Sequence, residues 1–449
     1  MINTLLAIGI ALVLGLLSTR LMKKIGLPNV TGYLIVGLII GPYALGLIPG
    51  EQSLIKGTPL FYTSEGDKVF MMEVLSVIST VALGFIGFGI GSEFKISHIK
   101  EIGKSAITIT AFEAISASLC VDIVLIAMSF VTDMPVYEAI IMGAIAAATA
   151  PAATIMVIKQ YRAKGVVTDT LLPVVALDDA VGLIVFAISN SVALSLAGGG
   201  QISVLNIVVW PLVEIVASFA VGFGIGALLS LIPRFFKSRD NRLIATVACV
   251  FLCIGVCKLF GTLEDNGYVP FGLSDLLVCM MAGATFVNMR KEATQMMEGT
   301  DRWTPVLLML FFILSGAELN LRMFSGWKII LCLILYIVAR CLGKYFGAML
   351  GATVTKSPKN VKKYLGITLF PQAGVAIGMA TMCKIEFTKA GLPDIGSKIV
   401  TITMCAVLIY ELVGPVLTKL TLTKAGEIDP SMLGKKLPSP SAGNADLND

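Results

Sequence analysis

Two adjacent acids, Asp178 and Asp179, interrupt the apolar run Val174-Val175-Ala176-Leu177-Asp178-Asp179-Ala180-Val181-Gly182. Neighbouring positions on a helix point about 100° apart, so both carboxylates can border one water-filled cavity although they cannot face the same neighbouring helix. Carboxylate oxygens suit hard monovalent cations, and protons compete for those same oxygens. Such a site holds either a cation or a proton, and that competition is the chemistry of exchange. One carboxylate at the bilayer centre costs at least about 2.5–3.5 kcal/mol, so two in succession point to function. Asp178 and Asp179 are therefore the candidate ligands for a monovalent metal cation and the candidate proton carriers.

Upstream lies Ala146-Ala147-Ala148-Thr149-Ala150-Pro151-Ala152-Ala153-Thr154. Pro151 removes a backbone donor and frees a carbonyl, while the Thr149 hydroxyl can satisfy the backbone or offer an oxygen to an ion. The segment reads as a broken helix beside the acids. A counterpart follows at Leu369-Phe370-Pro371-Gln372-Ala373-Gly374, again interrupted by Pro and Gly. Paired broken helices in corresponding places mark a midplane binding site, so Pro151, Ala150, Pro371 and Gly374 are expected at the crossover.

Arg340, in Tyr336-Ile337-Val338-Ala339-Arg340-Cys341-Leu342-Gly343-Lys344, cannot lose its charge and is expected to form a salt bridge with Asp178 or Asp179. Lys344, one turn on, reads as a side chain that snorkels to the membrane surface. Glu113 is a candidate supporting partner from another helix. Asp122, Glu214, Lys258, Asp275 and Glu411 read as charges that pair locally or sit near an interface. The single histidine, His98, lies in a loop with Lys95 and Lys100 and reads as solvated.

The elements that carry these residues are membrane helices. Hydrophobic residues make up 56% of the 449 and charged residues 14%, a balance that excludes a soluble globular surface. Breaking the apolar runs at charges, Pro and Gly gives about thirteen helices, each of roughly the 20 residues needed to cross a bilayer. They are expected to begin near residues 2, 29, 70, 103, 135, 168, 203, 241, 271, 304, 327, 360 and 396. Lys and Arg cluster in alternate loops, including Arg20/Lys23/Lys24, Lys95/Lys100/Lys104 and Lys159/Arg162/Lys164, while loops near Asp133, Gly199 and Glu264 carry almost none. The positive-inside rule then places the N-terminus outside and the C-terminus in the cytoplasm.

Gly91-Ser92-Glu93-Phe94 ends one apolar run much as Gly316-Ala317-Glu318-Leu319 ends another. An odd number of helices separates them, which gives the copies opposite orientations, the mark of an inverted repeat. The expected organisation is a first half-repeat over 1–202, a linker helix over 203–232, a second half-repeat over 233–421 and a disordered tail over 422–449.

Several readings are excluded or set aside. The net charge of +5 is spread over short loops, which argues against nucleic acid. The nine cysteines lack a C-x-x-C and read as packing residues. Gly37-x-x-x-Gly41 and Gly222-Phe223-Gly224-Ile225-Gly226 read as close helix contacts. The chain has neither H-E-x-x-H nor G-x-S-x-G, and it reads as no enzyme. The first apolar run lacks a basic lead and a cleavage site, so it reads as a membrane helix and not a signal peptide.

Leu27-Pro28-Asn29-Val30-Thr31-Gly32-Tyr33 through Gly41-Pro42, the Gly-x-Glu endings, Thr149-Ala150-Pro151, Leu177-Asp178-Asp179 and Pro371-Gln372-Ala373-Gly374 together resemble the Na⁺/H⁺ exchanger family of monovalent cation:proton antiporters. The resemblance implies an all-α, thirteen-helix inverted-repeat fold, with a core domain that moves like an elevator against a dimerisation domain. It implies a homodimer in the cell membrane that exchanges Na⁺, K⁺ or Li⁺ for H⁺ in pH homeostasis, with no cofactor beyond the ions. Asp179 then resembles the essential ion-binding acid, Asp178 its neighbour, and Thr149 and Pro151 the crossover. Ala150 stands where some members carry an acid. Members with an Asp-Asp pair often carry lysine at position 340 and exchange two protons per cation, so Arg340 favours one-for-one exchange. Alternatives are a K⁺/H⁺ efflux system, or a cation channel or receptor subunit that reuses the fold.

Overall fold

The computed structural model describes residues 2–25, 29–48, 65–150, 154–155, 157–158, 161–198, 209–236, 238–266, 268–269, 271–290, 293–319 and 326–428. Among them the chain is helical throughout, with no strand. Among the described residues eight helices are long and apolar enough to cross a membrane, and four shorter apolar helices accompany them, which makes this a multi-pass membrane protein. A backbone in lipid must satisfy its own polar groups, and helices do so within one segment.

Among the described residues run α1 (Ile2–Ile25), α2 (Asn29–Ile40), α3 (Glu65–Glu93), α4 (Ile96–Ala127), the short α5 (Ser129–Thr132), α6 (Val136–Ala146) and α7 (Val166–Ala197), with further helical residues at 154–155 and 157–158 between the last two. Then come α8 (Trp210–Leu231), α9 (Arg239–Asp265), α10 (Asp275–Met289), α11 (Ala293–Trp303) and α12 (Pro305–Ala317). The last are α13 (Trp327–Val354), α14 (Lys359–Thr368), α15 (Gly374–Lys389) and α16 (Pro393–Lys424). Starts expected near 29, 135, 168, 304, 327 and 360 fall at Asn29, Val136, Val166, Pro305, Trp327 and Lys359. Local chemistry fixes several: Ser238 Oγ accepts the Asn241 amide at 3.2 Å at the head of α9, and Pro305 opens α12. The broken helices expected at the crossover are present: α6 and α14 both stop inside the packed interior.

The helices pack in two groups. One comprises α4, α6, α7 and α13–α16, with α4 lying along α13. The other comprises α1–α3, α8–α10 and α12, with α10 against α3 and α8, and α12 against α2. Small residues set these approaches, as the glycine patterns suggest: a Cβ on Gly37 would lie 1.9 Å from the Ile313 carbonyl oxygen.

One expected boundary shifts. The chain is ordered past residue 421: α16 runs to Lys424, and Leu422 and Ile428 are buried in the core between α7, α14 and α16. The apolar faces of those two residues outweigh the polar composition that suggested a tail from 422. Residues 429–449, and the start of the expected linker helix at 203–208, lie outside the described residues.

Candidate ion-binding site

The site is built where two interrupted helices meet. α6 ends at Ala146, Ala147 and Ala148 close it with amides that donate to Ala144 O at 3.1 Å and Ile145 O at 3.4 Å, and the chain then leaves the helix; α14 ends at Thr368, and Leu369–Ala373 lead irregularly into α15. The two breaks are joined directly, the Ala150 amide donating to the Pro371 carbonyl at 2.9 Å. Thr149 Oγ1 donates to Leu369 O at 3.4 Å, and Thr154 Oγ1 to Thr368 O at 3.0 Å. Gln372 Nε2 donates to Ile145 O at 2.8 Å. Gly374 begins α15, where an added Cβ would stand 3.2 Å from the Phe312 ring. Pro151 lies outside the described residues.

Each broken helix leaves carbonyls at its C-terminal end without an intrahelical partner, and the helix dipole adds negative potential there. Arg340 answers that demand. Its Nε donates to Ala146 O at 2.9 Å, Nη2 to Ala148 O at 2.7 Å and Nη1 to Phe370 O at 2.7 Å. The guanidinium also stacks over the Tyr410 ring, 4.6 Å from its centroid. This corrects the expected salt bridge: the fork of Arg340 ties the two breaks together and does not pair with Asp178.

The partner of Asp178 is Lys344. Its Nζ lies 3.1 Å from Asp178 Oδ2 and 2.7 Å from Glu113 Oε2, and it also donates to Ala147 O. All three side chains are fully buried, with 0% exposure. Lys344 does not snorkel, because α13 continues ten residues beyond it to Val354. Neither Glu113 oxygen makes a well-angled hydrogen bond, so proximity of charge holds that pair. Glu113, expected only as a support, is thus one arm of a buried Glu113–Lys344–Asp178 cluster.

Backbone approach makes the cluster possible. Gly343, Gly347 and Gly351 form a stripe on α13, and Cβ atoms there would come within 2.6–2.7 Å of the Ala117, Glu113 and Ile109 Cα atoms on α4. With α4 and α13 this close, a lysine beside the stripe reaches a carboxylate on the opposite helix. That stripe is the sequence signal that could have found Lys344 and Glu113.

Asp179 follows Asp178 on α7 and is 7% exposed. Beyond it, Gly182 lays α7 against the first break, an added Cβ falling 3.4 Å from Ala148 N. Two adjacent carboxylates, a broken-helix backbone and a lysine shared between acids therefore converge in one apolar interior. A separate cavity of about 550 Å³ opens between the two helix groups, lined by Glu214, Asp275 and Glu386 among others; its lining stops short of the Asp pair. The side chain of His98 lies outside the described residues.

Residues 8–424 match the family model described as "Sodium/hydrogen exchanger, transmembrane". The chain is 24% identical over 390 residues to the protein named Na(+)/H(+) antiporter 1 of Methanocaldococcus jannaschii, covering 85% of this chain and 83% of that one. It is 25% identical over 389 residues to the High-affinity Na(+)/H(+) antiporter NhaS3 of Synechocystis sp., covering 81% and 79%. Its fold superposes on the sodium proton antiporter MjNhaP1 of M. jannaschii, solved at pH 8, with a TM-score of 0.70 at 21% identity, over 96% of this chain and all of that one. The family match spans nearly the whole helical part of the chain, including both breaks and every charged residue of the site, and this chain belongs to the Na⁺/H⁺ exchanger family.

Proposed function

We propose that this chain is a Na⁺/H⁺ antiporter in which Asp179 and Asp178 bind either Na⁺ or protons at the crossing of the two broken helices. The observation that carries the reading is the buried Asp178–Lys344–Glu113 cluster beside Asp179. Relatives covering most of the chain bear the name Na⁺/H⁺ antiporter, which favours Na⁺ over K⁺ or Li⁺. A bare pair of carboxylates is costly to carry across lipid, whereas an occupied or protonated pair is not, so only loaded cores cross.

Lys344 changes the expected stoichiometry. Arginine at 340 suggested a permanent pair with Asp178 and one-for-one exchange. The cation at Asp178 is instead a lysine, which can release a proton. When Na⁺ draws Asp178 away, Lys344 keeps Glu113 as its one acid, its hold on its own proton weakens, and that second proton becomes exchangeable, which gives electrogenic exchange of two protons per Na⁺. Thr149 and the carbonyls of the breaks supply neutral oxygens, and no cofactor takes part.

In this reading α4, α6, α7 and α13–α16 move as an elevator against the other group, and the cavity between the groups is the aqueous approach. The halves 1–202 and 233–424 form the inverted repeat, with α8 as the linker. The protein acts as a homodimer in the cell membrane, N-terminus outside and C-terminus cytoplasmic, and serves pH homeostasis. The test is proton efflux from proteoliposomes on addition of Na⁺, K⁺ or Li⁺, for the wild type and Asp179→Asn. Na⁺-driven efflux lost in the variant is expected. Efflux driven by K⁺ alone would move the protein to the K⁺/H⁺ reading, and no efflux with any of the three ions would overturn exchange.

A further inference from the structure

The helix that carries the Asp pair is gripped at its start by residues that follow α16. After α16 the chain turns at Gly426, whose φ is +77°, and Glu427 folds back onto the head of α7. Glu427 Oε1 accepts the Val167 amide at 2.6 Å, and Oε2 accepts the Thr168 amide and the Thr168 hydroxyl, each at 2.8 Å. The Glu427 carbonyl accepts the Lys164 amide at 3.0 Å. The fit leaves no room for a larger neighbour: a Cβ on Gly165 would lie 2.5 Å from the Glu427 carboxyl. Beside it, Ile428 is 3% exposed and packs in the cluster that holds Val157, Ile158 and Val167. Lys419, in the last turns of α16, stacks over the ring of Tyr161, five residues before α7, at 4.7 Å.

A carboxylate at this place meets the otherwise unpaired first amides of a helix and the positive end of its dipole. The grip matters because α7 is not held by its own bonds alone: Pro173 lies inside it, between the grip and the acids, and removes one helical donor. Beyond the acids α7 is located by Gly182 against the first break. Glu427 locates the other end, about three turns of helix from Asp178.

We propose that Glu427 is a positioning residue for ion exchange: through the first amides of α7 it fixes the depth and rotation at which Asp178 and Asp179 meet the crossing. The proposal rests on the exchange reading, and wild-type transport measured in parallel tells failure of one from failure of the other.

The experiment uses the full chain in proteoliposomes, with Glu427→Ala and Glu427→Gln beside the wild type. Three readouts are taken: apparent KM for Na⁺, the pH profile of exchange, and hydrogen exchange at residues 166–178. Glu427→Ala is expected to speed amide exchange at Val167 and Thr168, raise the Na⁺ KM about threefold or more and displace the pH profile, with turnover at saturating Na⁺ nearly retained. Glu427→Gln keeps an acceptor oxygen and is expected to fall between. Faster amide exchange with an unchanged KM and pH profile would overturn the proposal and leave a structural cap. Should Glu427→Ala fail to fold, Thr168→Val, which deletes one contact of the grip, decides: a smaller KM shift in the same direction is expected, and no shift overturns the proposal.

Discussion

The ammonium of Lys344 and the carboxylate of Glu113 stand 2.7 Å apart with neither exposed to solvent, one on α13 and the other on α4. Asp178 approaches the same ammonium from α7 at 3.1 Å. One cation thus divides itself between an acid on α7 and an acid on α4. Removing either acid shifts Lys344 wholly to the other, and the consequences differ.

Glu113→Gln concentrates Lys344 on Asp178, so Na⁺ must displace a stronger partner. The apparent KM for Na⁺ is expected to rise several-fold while exchange persists. Breaking a buried ion pair costs up to about 3–5 kcal/mol, and the second acid on Lys344 keeps the loss of stability below that. Sodium titration of exchange, with a thermal melt of the purified variant, checks both parts; an unchanged KM would mean that Glu113 is a structural partner alone.

Arg340→Lys keeps the charge and loses the fork. If the guanidinium were the counter-ion of Asp178, lysine would be a tolerable substitute. Because it instead serves three carbonyls from two broken helices, lysine leaves at least one buried acceptor unmade, at about 1–3 kcal/mol each. The variant is expected to melt well below the wild type, and a melt at the wild-type temperature would contradict the assignment.

Exchange of two protons per Na⁺ moves net charge, and a potential of 100 mV acts on each elementary charge with about 2.3 kcal/mol. Wild-type exchange in liposomes with a clamped potential is expected to respond to the sign of that potential. Asp178→Asn, which removes the partner that opens the Lys344 pair, is expected to abolish the response. Indifference of the wild type would restore the one-for-one ratio.

Thr31 on α2 and Glu411 on α16 join the two helix groups through a buried hydrogen bond of 3.2 Å. If the groups slide, this bond breaks in each cycle. Thr31→Val is expected to raise turnover without changing the Na⁺ KM, and a KM change with constant turnover would place the bond in ion binding.

Much of this arrangement is legible in the sequence, and the parts that are not share a cause. Asp178 and Asp179 stand out because charge inside an apolar run is expensive, and Pro371 with Gly374 marks a break because neither residue continues a helix easily. The Ala150–Pro371 contact joins two segments that the pattern already pairs. What hydropathy does not encode is which faces of two helices approach. Arg340 and Lys344 lie one turn apart and look alike along the chain; only the Gly343-Gly347-Gly351 stripe against α4 turns Lys344 towards Glu113 and Asp178. Arg340 could have been placed by counting donors, since two helix breaks leave carbonyls that demand them. Glu427 escapes the sequence because its role depends on a contact between residues far apart in the chain, in a stretch whose composition resembles a tail.

The central claim is that Na⁺ and protons compete for the carboxylates of Asp178 and Asp179, and calorimetry of Na⁺ binding to the purified protein tests it most directly. Titrations in two buffers of different ionisation enthalpy count the protons released per Na⁺ bound. The account predicts proton release on binding, an apparent affinity for Na⁺ that falls as pH falls, and loss of both in Asp179→Asn. Sodium binding without proton release, or binding unimpaired in that variant, would contradict it.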